Sequence, residues 1–171
     1  MSIQMKHLIL SCIILCFLSC GNHEKKEFKE GLLCRCIVFP TGTDYETYQI
    51  NVYKNGIIHT YCGLRNWNFD RHIESEIINA DSIYQNIEEQ KNGKLEADTL
   101  QQLKKYLSEI DGTHCYHLDT RYYKDYWCIL IETASSISLH GYSEFDNKVI
   151  ERIYWLLYYN SPMPIDTHGW A

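Results

Sequence analysis

The pattern of apolar and polar positions in the first third of the chain predicts three strands. Residues 32–39 (LLCRCIVF) form an apolar run of β type that is interrupted only by Arg35, and turn-forming residues follow it. Residues 48–53 and 57–62 flank Lys54-Asn55-Gly56, a signal that is typical of a β-hairpin.

The hairpin sequence also predicts its own register. A three-residue loop with Gly56 in the left-handed region pairs Val52 with Ile58, and this choice produces a more apolar face than a two-residue Asn-Gly loop does. The apolar face is then formed by Tyr48, Ile50, Val52, Ile58, Thr60 and Cys62. The opposite face, which we call the second face, carries Tyr53, His59 and Tyr61.

Two segments have the period of amphipathic helices. The first begins with a capping-box pattern at Asp98-Thr99-Leu100-Gln101 and ends at Asp111-Gly112. Its apolar stripe is formed by Leu100, Leu103, Leu107 and Ile110. The second is expected to begin at an Asp146 cap and to end before Pro162, with Ile150, Ile153, Leu156 and Leu157 on its buried side.

The stretches between these elements have weaker patterns. We expect an irregular insertion at residues 63–80 and a short helix at residues 81–90, with Ile83, Tyr84 and Ile87 on one side. Residues 114–117 (HCYH) are interpreted as part of a polar loop between helix and strand.

The order of elements predicts an α+β fold. Residues 127–133 (WCILIET) and 137–142 add two strands to the three described above. Strands joined by hairpins, together with two amphipathic helices, favour a mainly antiparallel sheet of about five strands with the helices on one face, a two-layer sandwich. We expect residues 31–171 to form this single domain.

The start of the chain has a different character. Lys6 is the only charged residue before Glu24, and residues 8–18 are apolar except for Ser11. This composition is typical of a signal peptide, and the run is shorter than the roughly 20 residues that a membrane-spanning helix needs.

The end of this run, Phe17-Leu18-Ser19-Cys20, resembles the bacterial lipobox. The resemblance implies that residues 1–19 are a lipoprotein signal peptide and that Cys20 is lipidated, for instance with palmitate. Residues 20–30 would then form a polar tether. An ordinary secretory signal cut elsewhere, or an uncleaved anchor, is the alternative.

With its small acidic domain, the chain resembles small lipoproteins of Bacteroidetes-type bacteria. This resemblance implies attachment to a cell-envelope membrane through a lipid anchor, and it favours the outer membrane over the inner membrane. It implies no activity.

The net charge limits the classes of partner that the protein can bind, and the number of cysteines limits the disulfides that it can form. The net charge is −6, from 16 basic and 22 acidic residues, which argues against nucleic acid as a partner. The cysteines that follow Cys20 are odd in number, so they cannot all pair within one chain: Cys34, Cys36, Cys62, Cys115 and Cys128. One or two disulfides and buried free thiols are both compatible with this pattern.

Candidate catalytic patterns in the chain are weak. His114-Cys115-Tyr116-His117 with Asp119 contains zinc-ligand residue types, but no matching ligand pair accompanies it. A nucleophilic pair of Cys62 or Cys115 with His59 or His140 has no supporting local signature, and Glu74 and Glu76 form no clear acid–base pair. We therefore predict no catalytic residue, metal or cofactor.

The function favoured by the sequence is that of a lipid-anchored envelope protein that binds a protein or another envelope component. Two surfaces are candidates: the second face with Tyr53, His59 and Tyr61, and the insertion with Arg65, Trp67 and Phe69. An immunity or inhibitor protein that neutralises an envelope-acting toxin or enzyme is one alternative, since an acidic surface suits a basic target. A cysteine- or metal-dependent enzyme is the other.

Overall fold

The computed structural model describes residues 30–40, 46–66, 83–117, 127–141 and 147–167, with the side chains of residues 114–117 excepted. Its strands are β1 (Leu32–Pro40), β2 (Glu46–Tyr53), β3 (Ile57–Arg65), β4 (Tyr84–Lys94), β5 (His114–His117), β6 (Trp127–Glu132) and β7 (Ile137–Gly141). Its helices are α1 (Ala97–Glu109) and α2 (Lys148–Asn160). None of the helices in these ranges is long and apolar enough to cross a membrane.

The strands form one sheet in the order β4-β3-β2-β1-β6-β7-β5. Six of the strands are antiparallel to their neighbours, and the short β5 lies parallel to β7 at one edge. The α+β fold class is therefore confirmed, and the sheet is wider than the sequence predicted because β4 and β5 join it.

Both helices pack on one face of the sheet. Leu103 and Leu107 of α1 belong to the same buried cluster as Ile153 and Leu157 of α2. From the sheet, this cluster takes alternate residues of the central strands, which are Cys34, Cys36, Val38, Tyr48, Ile50, Val52, Ile58, Ile129 and Ile131. The alternation leaves the remaining residues of these strands on the second face.

The predicted hairpin register is confirmed. Val52 pairs with Ile58, and Gly56 has a φ of 85°, which a residue with a side chain rarely adopts. The Gly56 amide donates to the Tyr53 carbonyl at 2.9 Å and closes the three-residue loop.

Three local predictions were wrong. Residues 81–90 were expected to be helical, but Tyr84–Lys94 is strand β4, because the free backbone groups of β3 need hydrogen-bond partners along their whole length. The expected polar loop at His114–His117 is strand β5. The insertion begins later than residue 63, since β3 continues to Arg65.

The helix starts also differ from the prediction. Helix α1 begins at Ala97 with Glu96 as N-cap, and no side chain caps it, so Asp98 lies in the first turn instead of at the cap. In α2 the N-cap is Asn147, whose Oδ1 accepts from the Val149 amide at 2.9 Å, and not Asp146.

Close backbone contact between β3 and β4 depends on Gly63. A Cβ atom at this position would overlap the Asn86 carbonyl oxygen and crowd the Cα of Ile87. The strand pair has a register shift at this point, between Cys62 and Gly63. Glycine therefore permits the two backbones to approach at the irregularity.

Candidate binding surface

A row of polar residues crosses the second face of the sheet. Glu132, Arg35, Asn51, His59 and Asn92 are successive cross-strand partners on β6, β1, β2, β3 and β4. We call these five residues the polar row. Exposure changes along it, from buried Arg35 and Asn51 at the centre of the sheet, through half-buried His59, to exposed Asn92 at the β4 edge.

The inner end of the polar row is a buried ion pair. Nη1 of Arg35 lies 3.2 Å from Oε2 of Glu132, and the two side chains are 7% and 15% exposed. The distance is that of an ion pair, but the geometry is not that of a hydrogen bond, and Arg35 Nε and Nη1 find no hydrogen-bond acceptor among the described residues. The charges compensate each other while two donors of the guanidinium stay unsatisfied, which limits the stability gained from the pair.

Two amides lie beside this pair. Gln49 Nε2 donates to Asn51 Oδ1 at 3.0 Å, and both side chains are buried. Gln49 Oε1 is buried without a hydrogen-bond donor among the described residues. The centre of the second face is therefore polar, but solvent hardly reaches it.

The half-exposed part of the second face is aromatic. The ring centroids of Tyr53 and His59 are 5.1 Å apart, and those of His59 and Tyr61 are 6.3 Å apart. His59 Nδ1 and the Tyr61 hydroxyl are hydrogen-bonded at 3.3 Å. We call Tyr53, His59 and Tyr61 the aromatic cluster. Its location on the second face follows the sequence prediction.

The aromatic cluster is held from the neighbouring strand. The Tyr84 hydroxyl of β4 donates to the Tyr61 carbonyl at 3.4 Å. Burial raises the pKa of the Tyr61 hydroxyl, and Tyr53 adds to the effect. The Tyr61 hydroxyl therefore stays protonated at neutral pH and can act as a hydrogen-bond donor or acceptor for a partner.

The second face is less open than the sequence indicated. Over β1, β6 and β7 it carries a second buried apolar cluster formed by Ile37, Phe39, Ile83, Cys128, Leu130 and Leu139. Arg65, predicted to contact a partner from an irregular insertion, ends β3 and is only 2% exposed. Its guanidinium carbon lies 5.1 Å from the centre of the Phe39 ring, so it packs over this cluster. Trp67 and Phe69, as well as Cys20, lie outside the described residues.

A second exposed aromatic group was missed by the sequence reasoning. Tyr159 on α2 is 75% exposed and stacks on Trp155, with ring centroids 5.7 Å apart. Tyr158 lies edge-on to both rings. The pairs Tyr154-Trp155 and Tyr158-Tyr159 are visible in the sequence, but the helical period alone does not show that Tyr159 is exposed.

Cys62 and His59 do not form a nucleophilic pair. Cys62 faces the helix layer and His59 the second face, so the sheet separates them. The Cys62 thiol donates to Glu46 Oε1 at 3.6 Å. Burial, followed by the Glu46 carboxylate, raises the pKa of Cys62 to about 11, which keeps it protonated at neutral pH.

Other cysteines with described side chains are buried. None of Cys34, Cys36, Cys62 and Cys128 forms a disulfide. Burial raises the pKa of Cys34 and Cys36 far above the ordinary value, so both behave as small apolar residues. The side chain of Cys115 is outside the described set.

His140 forms a different pair. Its Nε2 lies 2.7 Å from the Ser138 hydroxyl, and both residues are almost fully buried on the helix-covered side of β7. A serine–histidine contact resembles a nucleophile with its base, but burial leaves a substrate no access, and the contact satisfies polar groups in the core. Among the residues whose side chains are described, no group of three or more His, Cys, Asp and Glu residues is arranged to hold a metal ion.

Comparison of the chain with protein-family models, with curated proteins and with solved structures finds no match.

Proposed function

We propose that the protein is a lipid-anchored component of the bacterial cell envelope that binds another envelope protein through its aromatic cluster. The proposal rests mainly on one observation: Tyr53, His59 and Tyr61 lie side by side on a rigid sheet with their rings half exposed. Aromatic side chains that combine a large apolar area with a polar tip are typical anchors of protein interfaces.

The setting of the aromatic cluster suits this role. Its backbone belongs to the central strands β2 and β3, which pair on both sides, so little conformational freedom is lost when a partner binds. The polar row runs from the cluster towards exposed Asn92 and supplies hydrogen-bonding groups at its edge. A hydrophobic centre with a polar rim is the usual composition of a protein interface.

The binding part of the proposal is tested by site-specific photo-crosslinking in the native envelope. Tyr61→p-benzoylphenylalanine should crosslink one defined protein, and adding His59→Ala should reduce the yield about tenfold, as for loss of an interface anchor. Tyr159→p-benzoylphenylalanine is the matched control, since Tyr159 is an exposed aromatic residue on the helix layer. Absence of a crosslink from position 61, or the same products from both positions, would refute binding through the aromatic cluster.

The identity of the crosslinked protein also separates the alternatives. A basic toxin or enzyme that loses activity in the complex would identify the protein as an inhibitor, in accord with its net charge of −6. A resident envelope protein would identify an assembly or scaffolding role.

The anchoring part is tested by incorporation of labelled palmitate. Label should enter the wild-type protein and Cys16→Ser, which changes a cysteine within the apolar run, and should be lost in Cys20→Ser. Equal label in the wild type and Cys20→Ser would refute lipidation at this residue.

A further inference from the structure

Strand β4 forms one edge of the sheet, and its outer side is open. Within the described ranges, β4 pairs with β3 alone. Residues 85–92 form an unbroken run of exposed positions. A long strand with unpaired N–H and C=O groups on one side is a template for the addition of another strand.

The direction of the backbone groups of β4 follows from one hydrogen bond. The Leu95 amide donates to the Gly56 carbonyl at 2.9 Å, so the backbone of residue 95 points towards β3. Because the direction alternates along an antiparallel strand, residues 93, 91 and 89 also point towards β3. The N–H and C=O groups of Lys94, Asn92 and Gln90 then point outwards.

The charges of β4 are ordered along the strand. Glu88 and Glu89 precede Lys91 and Lys94, and the Lys91 ammonium lies 2.8 Å from the Glu89 carboxylate, with both side chains about half exposed. An antiparallel partner with the same sequence would place its basic end beside the acidic end of β4. The strand is therefore complementary in charge to a second copy of itself.

One symmetric register uses this complementarity without placing like charges opposite each other. Centring a two-fold axis on Lys91 or Glu89 would bring two like charges directly together, and centring it on Asn92 would place Lys91 opposite a glycine. Centring it on Gln90 places Glu89 opposite the partner's Lys91 and Lys91 opposite the partner's Glu89. In this register Gln90, whose backbone points outwards, faces its own copy and can exchange hydrogen bonds with it.

We infer that the protein forms a homodimer by antiparallel pairing of two β4 strands centred on Gln90. The pairing joins two sheets into one, and Glu89 and Lys91 of both copies form an alternating four-charge group on the helix-covered side. On the other side, Tyr61 is the cross-strand partner of Gln90, so the dimer also brings two aromatic clusters close together. The inference does not depend on the identity of any other partner.

The dimer is tested by sedimentation equilibrium on the whole chain in density-matched detergent. A single strand edge buries less area than a standard interface, so measurements should extend from about 1 µM to about 500 µM protein. Over this range the wild-type protein should change from monomer to dimer. A monomer throughout would overturn the inference, and the charges of β4 would then serve to prevent strand addition.

Charge reversal tests the register. Glu89→Lys and Lys91→Glu should each weaken self-association about tenfold or more, because each variant places like charges opposite each other twice. An equimolar mixture of the two variants should associate about as tightly as the wild type. In the mixed dimer, positions 89 and 91 are both lysine in one copy and both glutamate in the other, so opposite charges face each other at both positions. Lys105→Glu, on the exposed side of α1, is the matched charge control and should have no effect.

Backbone pairing has its own test. Gln90→Pro removes an N–H that points away from β3, so β4 should remain in the sheet while dimerisation is lost. Circular dichroism and thermal unfolding of this variant check that the fold is retained. A dimer that persists in Gln90→Pro, or single charge variants that associate as tightly as the wild type, would show that the copies meet elsewhere and would overturn the inference.

Discussion

The buried pair of Arg35 and Glu132 offers a sharp test of the energetics of the sheet. The replacement Glu132→Gln keeps the size of the side chain and removes its charge. Arg35 is then left as a buried cation whose nearest counter-charge, at 3.2 Å, has been lost. Because the two side chains have nearly the same shape, the main effect should be electrostatic.

The expected cost follows from the geometry. Removal of one partner from a buried ion pair costs about 3–5 kcal/mol. The Glu132 side chain is 15% exposed and its contact with Nη1 is not a hydrogen bond, so solvent screening places the cost at the lower end, about 3 kcal/mol. Glu132→Gln should therefore lower the free energy of unfolding by roughly that amount.

The double replacement should behave differently. Arg35→Met with Glu132→Leu removes both charges and the two unsatisfied donors of Arg35, and the diagonal neighbours Ile37 and Leu130 are buried apolar residues. Such replacements are often neutral or stabilising. The double variant should lie within about 1 kcal/mol of the wild type or above it.

Equilibrium unfolding in urea, followed by tryptophan fluorescence, measures the free energy of unfolding of Glu132→Gln and of the four members of the double-mutant cycle, which are the wild type, Arg35→Met, Glu132→Leu and the double variant. We expect a coupling energy of about 2–3 kcal/mol between the two positions. A cost below about 1 kcal/mol for Glu132→Gln, or a double variant as unstable as the sum of the single variants, would refute this account of the pair.

Three further predictions concern backbone fit, capping and ionisation. Gly63→Ala should destabilise the fold by about 3 kcal/mol and expose β4 amides to hydrogen exchange, because the new Cβ overlaps a carbonyl oxygen of β4. Asn147→Ala should cost about 1 kcal/mol in urea unfolding, whereas Asp98→Ala should cost only about 0.3 kcal/mol, because Asn147 caps its helix and Asp98 does not. Alkylation of Cys62, measured by mass spectrometry, should accelerate about tenfold per pH unit up to about pH 11, and Glu46→Gln should accelerate it at pH 8 by lowering the raised pKa towards its ordinary value.

Part of the candidate surface could be predicted from the sequence. The hairpin loop and the two-residue alternation place Tyr53, His59 and Tyr61 together, because all three lie on strands joined by one short turn. The pairing of Arg35 with Glu132 could not be predicted from the sequence, because more than half of the residues of the domain lie between β1 and β6 along the chain. The burial of Arg65 was missed for the same reason, because its contact with Phe39 joins the ends of two strands that are not neighbours in the sheet.

What the sequence by itself determined was local. The register of β2 and β3 and the buried stripes of both helices follow from periodicity and turn chemistry within short segments. Only the tertiary structure decided that the β4 segment is a strand. The spacing of Ile83, Tyr84 and Ile87 is equally compatible with a helix. The edge of β3 offers this segment a row of backbone hydrogen-bond partners, and a short helix with few apolar contacts cannot match that gain. Short-range patterns limit each segment to a few conformations. Pairing with a distant strand then stabilises one of these conformations, because the segment gains hydrogen bonds and packing contacts that it cannot form alone.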